Sequence, residues 1–157
     1  MASQTSVLFV CLGNICRSPL AEGAFRAAAE EAGLAVEIDS AGTGGWHIGD
    51  APDPRAMAEA ARHGVDISTL RARQIERADF SRFTHIFALD AANLADLRRL
   101  APDDASAHLA LLLDAVPGRA GQSVADPYYG GPQDFAIAWA EVSAAAAALV
   151  ARLREGA

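Results

Sequence analysis

A cysteine and an arginine six positions apart, Cys11 and Arg17, could hold a phosphate group against a reactive thiolate. The loop between them is short, and Gly13 and Asn14 tolerate the positive φ angles that would let it curl. Its backbone N–H groups could then point inward as an anion-binding nest, joined by the free N–H groups of a following helix. Arg17 supplies a planar guanidinium for bidentate contacts with phosphate oxygens. The same positive field favours the thiolate form of Cys11, which is the nucleophilic form.

The residues of this loop are expected to share the binding of one phosphate. The N–H groups expected to contact its oxygens are those of Leu12, Gly13, Asn14, Ile15, Cys16, Arg17 and Ser18. Ser18 fits the N-cap of the following helix, and its hydroxyl could also hydrogen-bond the Cys11 sulfur. Pro19 fits the first helical position, because its missing N–H costs nothing there. A lone cysteine is usually a small buried side chain, but the combination predicts a phosphate-binding loop.

The loop joins an apolar stretch to an alanine-rich stretch, and this order predicts an α/β fold. The expected strands are Ser6–Val10, Val36–Asp39, His85–Leu89 and Leu109–Leu113. The expected helices are Pro19–Ala32 (ended by Gly33), Pro54–His63, Asp79–Arg82, Ala91–Leu100 and Gln133 to about Arg154. We therefore predict one domain over residues 1–157: a small doubly wound, Rossmann-like, four-stranded parallel sheet flanked by helices, with the phosphate loop after strand 1.

The loop and two further motifs resemble the low-molecular-weight protein tyrosine phosphatase family. The residues from Val10 to Pro19 are similar to the family signature Val-Cys-x-Gly-Asn-x-Cys-Arg-Ser-Pro. Two other segments resemble family motifs: Asp126-Pro127-Tyr128-Tyr129-Gly130, and Asp39-Ser40-Ala41-Gly42-Thr43 followed by Trp46. The similarity extends from about Ser6 to the C-terminal helix. It implies hydrolysis of protein phosphotyrosine through a phosphocysteine intermediate, with no cofactor and no metal ion.

The same resemblance assigns roles to residues outside the loop. Asp126 is the expected general acid, which protonates the leaving oxygen and then takes a proton from the attacking water. From the residues alone, a turn aspartate before Pro127 is the commoner explanation. The family places Trp46 and Tyr128 on the walls of a deep slot for the phosphotyrosine ring, and Tyr129 is expected to contact the substrate beside them.

One position departs from the family pattern. The family commonly has a histidine before Ala-Arg-Gln, where it supports the phosphate loop together with the equivalents of Asn14 and Ser40, and here Leu70 stands in its place. Ser18 and Ser40 are therefore the expected supports of the loop, and we expect Leu70 to affect the rate rather than the reaction class. Cys16 keeps two interpretations, a small residue that fits a tight loop or a resolving thiol that captures oxidised Cys11 as a disulfide.

Three other functions stay open from the sequence. An arsenate reductase of this fold shares the cysteine–arginine loop, but the thioredoxin-coupled type needs downstream cysteines, and none follows Cys16. The glutaredoxin-coupled type needs fewer thiols. A protein arginine phosphatase typically has threonine where this chain has Ile15, which is expected to face the group attached to phosphorus. A non-catalytic phosphotyrosine-binding module would be expected to lose Cys11 or Asp126, and both are present.

The composition limits the partners and the location that we expect. The chain has 20 acidic and 13 basic residues, and its net charge of −7 argues against a general nucleic-acid or membrane-surface binder. Two cysteines make neither a disulfide framework nor a zinc site, and the four histidines share no spacing that predicts catalysis. The N-terminus lacks a signal peptide, and no segment is expected to span a membrane. We expect a cytoplasmic monomer that acts on a tyrosine-phosphorylated protein, with a bacterial tyrosine kinase as one candidate.

Overall fold

Four parallel strands form the centre of the fold in the computed structural model, which describes residues 4–156. The strands are β1 (Ser6–Cys11), β2 (Glu37–Gly42), β3 (His85–Ala88) and β4 (His108–Leu111), and their order in the sheet is β2-β1-β3-β4. The helices are α1 (Arg17–Ala32), α2 (Pro54–Arg62), α3 (Asp79–Arg82), α4 (Ala91–Leu100) and α5 (Pro132–Gly156). The predicted four-stranded parallel sheet with flanking helices, and with the cysteine loop after strand 1, is confirmed.

Strand β1 is buried on both faces, because it lies between two strands and two helical layers. Successive side chains of a strand point to opposite faces. Val7 and Phe9 therefore belong to the core with α1, α2 and α5, whereas Leu8 and Val10 belong to the core with α3 and α4. Because both faces of β1 are covered by helices, its sequence is an uninterrupted apolar run rather than an alternation of apolar and polar residues.

The order of the strands reverses at β1, and this reversal creates the crevice that holds the site. The chain passes from β1 to β2 on one side and then to β3 on the other side of β1. Ligands of open α/β sheets bind at such a switch point, outside the carboxyl ends of the strands. Three segments meet there: the loop after β1, the residues after β3, and a long loop tied to them by a 2.8 Å hydrogen bond from Val124 N–H to Leu89 O.

Some element boundaries differ from the sequence prediction. The fourth strand ends at Leu111, and Leu112–Ala115 forms a 3-10 helix whose leucines turn into the core. Helix α1 begins at Arg17 rather than at Pro19, and Cys16 is its N-cap without any capping side chain. Ser18 as N-cap was therefore wrong, and its hydroxyl is used elsewhere. Gly33 ends α1 with a φ of 68°, as predicted.

Helix α5 contradicts the prediction that no segment is long and apolar enough to cross a membrane. Within residues 4–156, the span Pro132–Glu155 meets that criterion by length and composition alone. In the fold, 44% of its most apolar window is buried. Its apolar face packs against α1 and α2 through Phe135, Val142 and Leu149. A core helix of a globular protein passes the same test, so this criterion is weak evidence for a membrane span.

Candidate active site

Cys11 lies at the bottom of a cavity of about 210 Å³ at the carboxyl end of β1. The residues that line this cavity are Cys11, Leu12, Gly13, Asn14, Ile15, Cys16, Arg17, Trp46, His47, Asp126, Tyr128 and Tyr129. The structure thus brings the predicted catalytic residues and the predicted aromatic residues to one place. Ser18 and Ser40 lie behind this wall, where both side chains are buried.

The phosphate loop, Leu12–Ser18, curls because Asn14 adopts a left-handed backbone conformation. Its φ is 59°, and no other non-glycine residue among those described has a positive φ. This conformation lets the Asn14 N–H donate to Cys11 Sγ at 3.3 Å. Gly13, which would also tolerate a positive φ, does not adopt one. A Cβ at Gly13 would lie 3.1 Å from Cδ2 of His47, so the glycine here serves a close approach instead.

Six backbone N–H groups of the phosphate loop donate to no protein acceptor within residues 4–156. They belong to Leu12, Gly13, Ile15, Cys16, Arg17 and Ser18. All of these residues except Ser18 line the cavity, and the last two form the first turn of α1. The positive end of α1 adds to the attraction for an anion. The arrangement provides an anion-binding nest directly around the Cys11 thiol.

The guanidinium of Arg17 is buried and is fixed through one of its nitrogens. Nη1 donates to Asp90 Oδ2 at 2.7 Å and to the Val124 carbonyl at 2.8 Å. Nε and Nη2 donate no hydrogen bond to the described part of the chain, and Nη2 lies 3.7 Å from Asp126 Oδ2. Two nitrogens of a rigid group are therefore able to donate to an anion in the cavity.

Sequence reasoning missed Asp90, which holds Arg17 in place. Asp90 directly follows β3 and is the N-cap of α4, where its Oδ1 accepts a 2.7 Å hydrogen bond from Asn93 N–H. An aspartate between a strand and a helix, at the sheet edge that carries the phosphate loop, was the available signal. The signal is weak by itself, because most such aspartates only cap helices.

A chain of hydrogen bonds leads from Cys11 to a buried carboxyl group. Asn14 Nδ2 donates to Ser18 Oγ at 2.7 Å and to Ser40 Oγ at 3.0 Å. Each serine hydroxyl has one proton of its own to pass on. Ser40 donates to Glu22 Oε1 at 2.7 Å, and Ser18 contacts Cys11 Sγ at 3.0 Å. The pattern directs a hydroxyl proton of Ser18 at the sulfur.

The orientation of the Asn14 amide and the place of Leu70 complete this chain. The Arg73 N–H donates to Asn14 Oδ1 at 3.0 Å, so Nδ2 must face the serines. Leu70 is partly buried against the core and takes no part in the chain, whereas Glu22 accepts the Ser40 proton. Burial raises the pKa of Glu22, while hydrogen bonds from Ser40 and from Arg26 act in the opposite direction. Glu22 is a second residue that the sequence prediction missed.

Aromatic side chains form an exposed rim around the cavity. Trp46, Tyr128 and Tyr129 are 73%, 38% and 94% exposed. The two tyrosine rings meet edge to face, with centroids 4.9 Å apart. The Trp46 ring lies on Gly44, where a Cβ would come within 1.7 Å of the ring atom Cζ3. Ile15 reaches the same cavity from the phosphate loop, so a flat apolar group above the nest would meet apolar walls.

The Asp126 carboxyl faces the cavity from its rim. Its side chain is 43% exposed, and Oδ1 accepts a 3.1 Å hydrogen bond from the Tyr128 N–H. Oδ2 is the oxygen nearest to Arg17, at 3.7 Å from Nη2. A carboxyl group in this position can exchange a proton with a group bound between the nest and the aromatic rim.

The remaining thiol and the histidines have different surroundings. Cys16 is buried, and both cysteines are free thiols. Burial, and next the nearby Asp53 carboxylate, raise the pKa of Cys16 far above its usual value. His47 lines the cavity and contacts Asp50 at 3.2 Å, whereas the other three histidines do not line it. No three His, Cys, Asp or Glu side chains among the described residues converge as a metal site would require.

The comparisons with known proteins agree on one family. Residues 6–157 match the family model described as low molecular weight phosphotyrosine protein phosphatase. The chain is 50% identical over 154 residues to a low molecular weight protein-tyrosine-phosphatase of Streptomyces coelicolor, which covers 95% of this chain and 93% of that protein. Among solved structures, a protein tyrosine phosphatase of Entamoeba histolytica superposes with a TM-score of 0.92 at 32% identity, over 98% and 99% of the two chains. An arginine phosphatase of Drosophila superposes with a TM-score of 0.89 at 29% identity, over 94% and 97%.

Proposed function

The chain belongs to the low molecular weight phosphotyrosine protein phosphatase family and is a protein-tyrosine phosphatase, and we propose that Cys11 is its nucleophile. The thiolate attacks the phosphorus of phosphotyrosine in line, a sulfur–phosphorus bond forms, and the tyrosine oxygen leaves. Water then cleaves the phosphocysteine, which releases inorganic phosphate and restores the thiol. The observation that carries this proposal is the Cys11 sulfur, which accepts a hydrogen bond from Asn14 N–H and contacts the Ser18 hydroxyl inside a nest of free N–H groups.

Arg17 and the phosphate loop stabilise the charge on the transferred phosphoryl group. In the transition state this charge spreads over three equatorial oxygens, and donors that are already in place need no reorganisation. Nε and Nη2 of Arg17 and the loop N–H groups are the available donors. Since Asp90 and the Val124 carbonyl hold Nη1, the guanidinium stays aligned throughout the reaction.

Asp126 acts as the general acid in the first step and as the general base in the second. As an acid it protonates the tyrosine oxygen when the phosphorus–oxygen bond breaks, and as a base it accepts a proton from the attacking water. The support for this role is its carboxyl group at the rim of the cavity, 3.7 Å from Arg17 Nη2.

Phosphotyrosine is the substrate that the walls of the cavity favour. Trp46 and Tyr128 would flank a phenol ring whose phosphate reaches the nest, and Tyr129 would contact the ring or its peptide. A phosphoserine is too short to bring its phosphate to the bottom of such a slot. Arginine phosphatases share the fold, but Ile15 offers no hydrogen bond to a guanidinium. We also place the enzyme in the cytoplasm as a monomer, with a bacterial tyrosine kinase as one candidate substrate.

The Asp126→Asn variant tests this function. We expect kcat/KM for a phosphotyrosine peptide to fall by about 10²–10⁴-fold, which is the usual contribution of a general acid. An aryl phosphate with a strongly acidic phenol needs little protonation, so its kcat/KM should change much less. Equal losses on both substrates would show that Asp126 is structural. Rates on phosphoserine and phosphoarginine peptides, with arsenate reduction measured alongside, test the substrate class.

A further inference from the structure

The start of helix α2 is attached to the phosphate loop. Asp53 is the N-cap of α2, and its Oδ1 accepts a 2.8 Å hydrogen bond from Arg55 N–H. The backbone N–H of Asp53 donates to the carbonyl oxygen of Ile15 at 2.8 Å. The first turn of α2 therefore has a fixed position relative to the loop that surrounds Cys11.

The side chain of Arg55 carries this connection across to the segment Asp126–Gly130, which we call the acid loop. Its Nε and Nη2 bind both carboxylate oxygens of Asp53, at 3.1 and 2.9 Å. Nη2 also donates to the Tyr128 carbonyl at 2.9 Å, and Nη1 to the Gly130 carbonyl at 3.3 Å. The guanidinium lies over the buried Phe135 ring, with Cζ 4.7 Å from its centroid. One rigid group thus connects the acid loop to α2 and α5.

The acid loop has few other attachments. Gly130 N–H donates to the Pro127 carbonyl, and Tyr128 N–H to Asp126, both inside the loop. Among residues 4–156, Arg55 is the side chain outside the loop that donates hydrogen bonds to its backbone. Other contacts of the acid loop are the buried Pro127 and the 3.7 Å approach of Asp126 Oδ2 to Arg17 Nη2. Arg55 is the contact that connects the loop backbone to the N-cap of α2, and through it to the phosphate loop.

We propose that Arg55 is a positioning residue that holds Asp126 at the distance from the phosphate loop at which it reaches the leaving oxygen. The inference rests on the proposed role of Asp126 as general acid. A displacement of a reacting group by 1 Å can cost about 10²-fold in rate. Loss of Arg55 should therefore impair proton transfer selectively, because Cys11 and Arg17 are held by other contacts.

The test compares two substrates in variants of Arg55. Arg55→Met keeps an apolar stem over Phe135 but removes every donor. We expect its kcat/KM for a phosphotyrosine peptide to fall about 10- to 100-fold, while an aryl phosphate with a strongly acidic phenol is hydrolysed nearly as well as by the wild type. Arg55→Lys keeps a charge and hydrogen-bond donors, so its kcat/KM for the phosphotyrosine peptide should lie between those of the wild type and Arg55→Met. Arg62→Met is the matched control on α2, because Arg62 pairs with Glu59 and does not contact the acid loop.

A double variant separates positioning from a merely structural effect. If Arg55 acts through Asp126, Arg55→Met should add no further loss in the Asp126→Asn background, whereas multiplied losses would overturn the proposal. The proposal would also be overturned if Arg55→Met slowed both substrates equally while Asp126→Asn slowed only the phosphotyrosine peptide. That result would leave the role of Asp126 as general acid unchanged. Equal slowing by Asp126→Asn itself would instead refute the general-acid role. Affinity for inorganic phosphate should be unchanged in Arg55→Met, and a large loss would contradict the separation of the two loops.

Discussion

The two cysteines lie in one loop, yet their surroundings give them different chemistry. Cys11 Sγ accepts a hydrogen bond from Asn14 N–H and lies 3.0 Å from the Ser18 hydroxyl. Cys16 is buried beside Asp53, and its pKa is raised by burial first and by that carboxylate next. Cys16 therefore stays a neutral thiol at pH 7 and is a weak nucleophile, so capture of oxidised Cys11 by Cys16 would be slow.

A resolving role of Cys16, as opposed to that of a small residue that fits a tight loop, predicts a difference in recovery from oxidation between the wild type and Cys16→Ser. Mild peroxide should inactivate the wild type, and a dithiol should restore it, because the sulfenic acid of Cys11 is captured as a disulfide with Cys16. In Cys16→Ser the recovery should be much less complete, since oxidised Cys11 proceeds to the sulfinic acid. The measurement is the activity regained after a fixed exposure, with the mass of the loop peptide. Equal recovery of both proteins would eliminate the resolving role.

Ile15 is expected to select between phosphotyrosine and phosphoarginine as substrates. A phosphoarginine guanidinium beside Ile15 would lose water and gain no hydrogen bond, which costs about 1–3 kcal/mol for an unpaired polar group. Ile15→Thr removes bulk and adds a hydroxyl. The kcat/KM for phosphoarginine relative to phosphotyrosine should therefore rise by about tenfold or more. An unchanged ratio, or a wild type that prefers phosphoarginine, would contradict the assignment to tyrosine.

At the scale of elements, α1 contributes to the surroundings of Cys11 from two places along its length. Its first turn contributes Arg17 and Ser18, and its second turn contributes Glu22, which is hydrogen-bonded to Ser40 on β2. Helix and strand thereby share one buried polar chain, and each group in it has a partner. Such a chain positions its members well but makes them sensitive to the loss of any single one.

The raised pKa of Glu22 predicts how this contact responds to pH. A carboxyl group whose pKa is higher in the folded state than in the unfolded state favours folding while it is protonated. That contribution is complete below about pH 4.5, the ordinary value for glutamate, and is lost as pH rises towards the raised folded value. The free energy of unfolding of the wild type, relative to Glu22→Gln, should therefore decrease as pH rises from about 4.5.

Urea unfolding of both proteins between pH 4 and pH 8, about the range over which carboxyl linkage acts, measures this difference. Glu31→Gln is the matched control, because Glu31 is an exposed glutamate on the same helix. Its stability should follow that of the wild type across the range. A constant difference between wild type and Glu22→Gln would show that Glu22 has the same pKa in both states.

At the scale of the whole molecule, the site exists only in the folded chain. The proposed donors to phosphate come from the loop after β1, while the groups that hold Arg17 come from positions 73 and 107 residues away. A phosphate ion that binds this site would therefore bind the folded state alone, and we expect it to stabilise that state by mass action.

Inorganic phosphate should raise the free energy of unfolding even when chemistry is impossible. At 100 times its Kd the gain should be about 2.7 kcal/mol. Cys11→Ser should have no measurable turnover, because its hydroxyl is not ionised at neutral pH, yet it should keep most of the phosphate-dependent gain. Arg17→Met should lose most of it. Denaturant unfolding with and without phosphate measures these gains, and a Cys11→Ser protein that does not respond would contradict the nest as the phosphate site.

The sequence by itself determined those features that are local along the chain. The apolar run of β1, the helix that ends at Gly33, and the cysteine–arginine loop each depend on residues within a few positions, so their patterns could be interpreted directly. The Asp126 motif was also predicted, although on resemblance rather than on spacing. Boundaries were less accurate where a side chain has a tertiary partner: Ser18, predicted as an N-cap, instead contacts Cys11 within the first turn.

Only the tertiary structure decided which distant residues complete the site. Asp90 and Glu22 look like an ordinary helix cap and an ordinary helix glutamate in the sequence, and Arg55 looks like a surface charge. Their hydrogen-bond partners are distant in the sequence. Asp90 and Arg17 are 73 residues apart, Glu22 and Ser40 are 18 apart, and Arg55 and Tyr128 are 73 apart. Such contacts depend on how strands and helices pack rather than on local pattern, because a polar side chain is fixed by whichever partner the fold brings within hydrogen-bond distance.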